Sequence, residues 1–273
     1  NLRLNVGTYA LGVEYNGENF SGWQKQLDRP TIQGSLEKAL SQVADSEIQL
    51  SAAGRTDAGV HAMGQVASFR SAVTRSSEQW RRGVNSLTPD SINVAWVTGV
   101  EDDFHARFSA TARRYLYLFM DRVEDTHAKQ LAWSVASLNA DLMHTSAQFL
   151  VGEHDFTTFR GSGCQAETPY RRINHCVVKR IGDLVVVDIE ANAFLLHMVR
   201  NIVSCLSQIK EDSHPDYLLE LLSLRDRTQI GMTAPSSGLY LFDVRYPDYD
   251  FPLPRLPSLL LGASREFSIR NEK

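Results

Sequence analysis

The stretch Ala53-Gly54-Arg55-Thr56-Asp57-Ala58-Gly59-Val60-His61-Ala62 sets one carboxylate between two glycines, with a guanidinium two residues before it. Strand-like alternation leads into the stretch and out of it, so the residues between form a loop. Glycine tolerates positive φ and close backbone approach, which lets Gly54 and Gly59 bend the loop tightly and present Asp57 outward from a rigid sheet. If Arg55 lies in contact, it favours the ionised carboxylate, which is the form that acts as nucleophile or base. Asp-Ala-Gly is equally the chemistry of an ordinary solvated hairpin turn, and spacing alone leaves both readings open.

The elements that must hold this loop follow from periodicity. Thr8 to Tyr15 alternates Tyr9, Leu11, Val13 and Tyr15 against Ala10, Gly12 and Glu14 and closes on Asn16-Gly17, which predicts a first strand. Ile32, Leu36, Leu40 and Val43 recur at helical spacing over Thr31 to Ala44, with Thr31 as the cap. A second strand, Ile48 to Ala53, delivers the chain to Arg55 and Asp57, and Gln65 to Arg70 is strand-like beyond them. Ser76 with Gln79 makes a capping-box pair opening a helix that carries Trp80, Val84 and Leu87. Ile92 to Val100 and Thr111 to Met120 read as strands, the latter placing Arg113 and Tyr115 on one face.

In the second half, Asn139 is placed to cap a helix through Leu142, Met143, Ala147 and Leu150 that ends at Gly152. Strands at Ile173 to Arg180 and Leu184 to Ala191 meet at a Gly182-Asp183 turn. A long apolar helix is expected from Phe194 to Ile209, a short one from Pro215 to Leu224, and a last strand from Leu239 to Tyr246. The order of elements is alike in the two halves. It predicts an α+β fold of two similar halves with mostly antiparallel sheets around a central cleft and helices outside. The expected divisions are 1–120 with the aspartate loop, a linker over 121–138, a second half over 139–247, and an irregular tail over 248–273 whose last dozen residues are loosely held.

A chain of 273 residues is long enough to bury a substantial core. The formal net charge of −4 argues, taken alone, against a nucleic-acid binder. RNA phosphates feel local charge, however, and basic residues come as doublets at Arg81-Arg82, Arg113-Arg114, Arg171-Arg172 and Lys179-Arg180. Any single doublet also fits a solvated face. Cysteines at 164, 176 and 205 form no CxxC pair, and no histidine stands at metal-ligand spacing, so neither a disulfide framework nor a metal is expected. The apolar runs are too short to span a bilayer and no signal pattern opens the chain, so the protein is expected in the cytoplasm.

Gly54 to His61 resembles the signature loop of the TruA family of tRNA pseudouridine synthases, and further matches run in family order along about residues 8–250. They include Tyr15-Asn16-Gly17, Phe20-Ser21-Gly22-Trp23-Gln24, Phe104-His105-Ala106-Arg107-Phe108-Ser109-Ala110, Arg113-Arg114-Tyr115 and His154-Asp155-Phe156. In the second half they continue with Asn192-Ala193-Phe194, Met198 to Val203, Thr233-Ala234-Pro235 and Gly238 to Leu241. The resemblance implies isomerisation of uridine to pseudouridine on the 3′ side of the anticodon stem and loop, at tRNA positions 38, 39 and 40. The substrate is tRNA, the protein works as a homodimer, and no cofactor is called for.

By the same resemblance Asp57 is the catalytic carboxylate, attacking C1′ or removing a proton from the sugar. Tyr115 stacks on the flipped base and relays a proton, and Arg200 pairs with the carboxylate. Arg55 holds the displaced nucleotide open. The segment Phe104 to Ser109 with Arg107, Arg113 and its neighbour Arg114, and Arg171-Arg172 are candidate phosphate contacts. Two positions depart from the family pattern, with Leu196 where many members carry His and Ser204 where Gly is usual. Two rival readings stand beside this one. The first is an RNA-binding module without chemistry. The second is a glycoside hydrolase using Asp57 with Asp102, Asp103 or Asp155.

Overall fold

The computed structural model describes residues 6–122, 126 and 128–263. Its elements in chain order are β1 (Gly7–Tyr15), α1 (Ile32–Ala44), β2 (Ser51–Ala52), β3 (His61–Ser71), α2 (Ser77–Asn85), β4 (Ile92–Val100), β5 (Ala112–Met120), β6 (Trp133–Ser134) and α3 (Ala140–Ala147). They continue with β7 (Gly152–Asp155), β8 (Tyr170–Ile181), β9 (Leu184–Ala191), α4 (Met198–Leu206), α5 (Tyr217–Leu224) and β10 (Leu239–Arg245). Two compact units result, Asn1–Thr111 with Leu241–Lys273, and Ala112–Tyr240. The strands of each pair mostly antiparallel and are accompanied by helices, the α+β class.

In the first unit β1 lies antiparallel between β3 and β4, β2 pairs with β3, and β10 runs along β3. Alternation on β1 and β3 turns Tyr9 and Phe69 to one face, where their rings stack at 5.1 Å and meet Trp80 of α2. Local chemistry sets the helix starts. The Thr31 hydroxyl accepts the Gly34 N–H, and Ser76 and Gln79 close a reciprocal capping box. β10 comes so close to β3 that a Cβ at Gly64 would lie 2.3 Å from the Phe242 carbonyl.

In the second unit the order is β5-β9-β8-β7, antiparallel throughout, with the short β6 parallel to β5. Every residue of β9 is buried. Asn139 caps α3 by accepting the Leu142 N–H, and α3 packs on β8.

The boundaries differ from those expected at 120, 139 and 247. β5 belongs to the second unit because its ladder partner is β9, which no local pattern announces. The segment 121–138 contributes β6 and Asp121, whose carboxylate meets Arg180 at 2.6 Å, so its described part is built into that unit. Residues 123–125 and 127 of it lie outside the described residues. The segment after Pro247 is irregular in backbone yet packed: Phe251 stacks on Trp96 at 4.6 Å, and Leu256 and Leu260 are buried. The loosely held end expected there lies mostly outside the described residues.

Two elements are shorter than expected. The second strand shrinks to Ser51–Ala52, where it pairs with β3. The apolar helix starts at Met198 instead of Phe194, because His197 takes a left-handed conformation at φ 59° and breaks the run.

Candidate active site

Asp57 opens a tight turn in which the Val60 N–H donates to the Asp57 carbonyl at 3.1 Å. Gly59 occupies its third position at φ 77°, the sign that a type II turn demands there and that glycine supplies without strain. The carboxylate-bearing residue is half-buried, between the buried Thr56 and the exposed Ala58.

The segment 16–24 clasps this turn. The Trp23 N–H donates to the Thr56 carbonyl at 3.0 Å and the Gly59 N–H to the Phe20 carbonyl at 3.3 Å. Gly17 donates its N–H to His61 Nδ1 at 3.1 Å, so this nitrogen of the buried imidazole is unprotonated. Two glycines make the approach possible. A Cβ at Gly17 would fall 1.9 Å from the Val60 carbonyl, and one at Gly22, at φ 89°, would fall 2.7 Å from the Thr56 carbonyl. Behind the turn the Tyr15 and Thr56 hydroxyls hydrogen-bond at 2.7 Å in a buried setting, and Gln65 Nε2 donates to the Gly54 carbonyl at 2.7 Å. Backbone and side chain together therefore fix the direction in which residue 57 leaves the loop.

Arg55 is exposed and makes no ion pair or hydrogen bond among the described residues. The expected support for an ionised Asp57 from Arg55 is therefore not made, and the guanidinium is left open to solvent.

Tyr115 and Arg200 belong to the second unit. Tyr115 is buried in β5 opposite Ile189, its ring edge-on to Phe194 at 5.2 Å. Arg200 lies half-buried in the first turn of α4 and donates from Nε to the Ala234 carbonyl at 2.8 Å, while the Ala234 N–H returns a bond to the Arg200 carbonyl at 3.3 Å. This cross-brace fixes the guanidinium against the Thr233-Ala234-Pro235 segment. Burial pushes the nearby Tyr117 phenol strongly up, with the Arg200 charge opposing, and its hydroxyl donates to the Pro235 carbonyl at 2.9 Å.

The two departures from the family pattern are both accommodated. Ser204 donates to the Met232 carbonyl at 2.6 Å, and the Leu196 carbonyl accepts the Gly161 N–H at 2.7 Å.

The basic doublets do not behave alike. Arg113 is partly exposed and donates to the Asn192 carbonyl at 3.1 Å. Arg114 is buried, with Nε and Nη2 donating to the two oxygens of Asp188 at 2.8 and 2.6 Å. The expectation that Arg114 contacts phosphate is thereby corrected, since adjacent strand residues face opposite ways and this one faces the core. Arg81 and Arg82 both pair with Glu78. Arg107 is exposed, its guanidinium carbon 5.6 Å from the centre of the Phe108 ring.

The framing residues Tyr15, Gly17, Gly22, Thr56 and His61 are the ones that chemical reasoning from sequence left without a role. Their signal was present in the Asn16-Gly17 pair, read only as the end of the first strand, and in the Ser21-Gly22 pair, which terminates no element.

The glycine-framed carboxylate stands on a turn of the first unit and the braced arginine on helix α4 of the second, and comparison with known proteins gives the class as an RNA-modifying isomerase. The family model described as tRNA pseudouridine synthase matches residues 12–109 and 146–247, and the chain belongs to that family. It is an isomerase that converts uridine in tRNA to pseudouridine.

Among curated proteins, the chain is 49% identical over 264 residues to tRNA pseudouridine synthase A of Shigella boydii serotype 4, covering 95% of this chain and 98% of the relative. It is 48% identical over 250 residues to the protein of the same name from Pseudoalteromonas atlantica, covering 90% and 95%. A solved Cbf5-Nop10-Gar1 complex aligns with 85% of this chain and 57% of the solved one at 12% identity and a TM-score of 0.33, a likeness too slight to carry an argument.

Proposed function

We propose that Asp57 is the carboxylate that opens the glycosidic bond of a uridine flipped out of the 3′ side of the anticodon stem and loop of tRNA. The bond from C1′ to N1 breaks, the base turns, and a bond from C1′ to C5 forms, while the proton lost from C5 is balanced by one gained at N1. Asp57 serves either by attacking C1′ or by removing a sugar proton. The supporting observation is the clasped turn, which holds residue 57 half-exposed in a direction set by hydrogen bonds on both sides.

Tyr115 is assigned the stacking surface and proton relay, and Arg200 the cation that keeps the carboxylate ionised. Arg55, open to solvent, is assigned the space vacated by the displaced nucleotide, with Arg107 and Arg113 on phosphates. Unstacking a base costs a few kcal/mol, and an aromatic stack returns about 1–3 kcal/mol of it. The enzyme works as a homodimer, an assignment that rests on the family resemblance and is checked by sedimentation of the purified protein.

The test is tritium release from tRNA labelled at uridine C5, without added metal or nucleotide. Release by the parent and none by Asp57→Ala, with tRNA binding retained, is the expected result. Equal release by both removes Asp57 from the chemistry.

A further inference from the structure

Phe108 presents 76% of its surface to solvent, and it is the single large apolar side chain so exposed between Glu101 and Thr111. It is not a side chain on a slack loop. Phe104 is buried against Tyr246, Tyr249 and Phe251. Ala106 is fastened on both sides, its N–H donating to the Ser68 hydroxyl at 3.1 Å and its carbonyl accepting the Tyr246 hydroxyl at 2.6 Å. His105 organises the rest. Its Nδ1 accepts the N–H groups of Arg107 at 3.1 Å and Phe108 at 3.4 Å, its carbonyl accepts the Ser109 N–H at 2.9 Å, and its ring lies 4.4 Å from the Phe108 ring. The fold thus spends an ordered, core-anchored turn on keeping a phenyl ring in water, forgoing about 1.5–3 kcal/mol that burial would return.

We propose that Phe108 is a stacking platform for an unpaired base of the tRNA, one other than the uridine being isomerised. A flat ring backed by an imidazole and flanked by the Arg107 guanidinium matches the face of a nucleobase with its phosphate close by. A protein partner or a second copy would need a contiguous apolar patch, and the neighbours on this turn are Arg107, Ser109, the small Ala110 and Thr111.

The position excludes the target nucleotide. Ser68, which holds this turn, and His61, which follows the aspartate turn, stand about 23 Å apart along β3 at a strand rise of roughly 3.3 Å per residue. The proposal rests on tRNA being the substrate, and it adds a second, remote point at which that substrate is held.

Binding of tRNA by the full-length protein is measured against salt for wild type, Phe108→Leu and Phe108→Trp. Phe108→Leu keeps an apolar side chain and loses the ring, so its Kd is expected to rise about 5- to 150-fold, the span of a lost base stack. The slope of log K against log salt stays at the wild-type value, since no phosphate contact is removed. Phe108→Trp restores affinity, and its indole emission is quenched when tRNA binds.

A Kd for Phe108→Leu within twofold of wild type overturns the platform, as does an indole at 108 whose emission ignores tRNA. A variant that sediments as a smaller species than wild type before RNA is added overturns it in favour of a contact between copies. Failure of wild type to release tritium would instead sink the isomerase reading, leaving the Kd comparison to stand by itself.

Discussion

Asp188 lies inside β9 with both oxygens held by the Arg114 fork and with His175 Nε2 2.9 Å away, while Asp57 stands half-exposed on a turn held through its backbone and the Thr56 hydroxyl. Burial by itself would push the Asp188 carboxyl up, but hydrogen bonds from Arg114 and His175, with their charges, hold it below its ordinary value. That carboxylate is satisfied in place and joins strands. The other is half-exposed on a turn that backbone hydrogen bonds from the segment 16–24 hold in place. The difference teaches that a charged residue in this chain is read by its setting, since a buried fork that consumes both oxygens of Asp188 leaves nothing there for a substrate.

The sharpest way to break the comparison is to neutralise each carboxylate or its partner and see whether chemistry or stability fails. Asp57→Asn is expected to lower kcat by at least about 10⁴-fold, as loss of a catalytic group does elsewhere, with the far-ultraviolet circular dichroism of wild type. Arg114→Ala should strand a buried charge and cost about 3–5 kcal/mol in denaturant unfolding. An unfolding cost from Arg114→Ala under about 1 kcal/mol would erase the distinction drawn here.

Acid sharpens it further. Because the folded carboxyl at Asp188 is depressed, its contribution is present above the ordinary value of 3.8 and is lost as pH falls through the folded value. Asp188→Asn is less stable at neutral pH, and its loss of stability below pH 3.8 is expected to be shallower than wild type's.

Smaller effects probe the frame around residue 57. Gly22→Ala places a Cβ 2.7 Å from the Thr56 carbonyl at a positive φ, for an expected cost of about 1–3 kcal/mol in stability together with a fall in kcat. Tyr15→Phe removes one buried hydroxyl bond to Thr56, so about 0.5–1.5 kcal/mol is expected. The Tyr15→Phe loss should appear in kcat with KM for tRNA unchanged, and a KM effect alone would show that the pair serves RNA binding instead.

Local signals carried well. The caps at Thr31, Ser76 and Asn139 act within one helical turn, so a few residues suffice to state them. Strand alternation separated Arg113 from Arg114 but could not say which faced the core. That depended on β9 lying alongside with Leu116 opposite Asp188, which sets Asp188 diagonally from Arg114. Apolar periodicity ran on through Phe194 because it registers side chains and is blind to the backbone reversal at His197. The division at 120 differs for a related cause, since β5 pairs along Arg113 to Met120 with β9, which comes long after it in the chain.

By itself the sequence determined that a glycine-framed loop bears a carboxylate, that Arg200 sits on an apolar helix, and, through its motifs, which family the chain joins. Those are matters of residue type and short spacing, which neighbouring atoms along the chain settle. Only the tertiary structure decided that the segment around Gly17 and Gly22 clasps the aspartate turn, that Arg55 stands open while Arg114 is consumed, and that Phe108 is held outward. Each of these depends on groups far apart in the chain meeting at hydrogen-bond or van der Waals distance, and no window of sequence contains both partners.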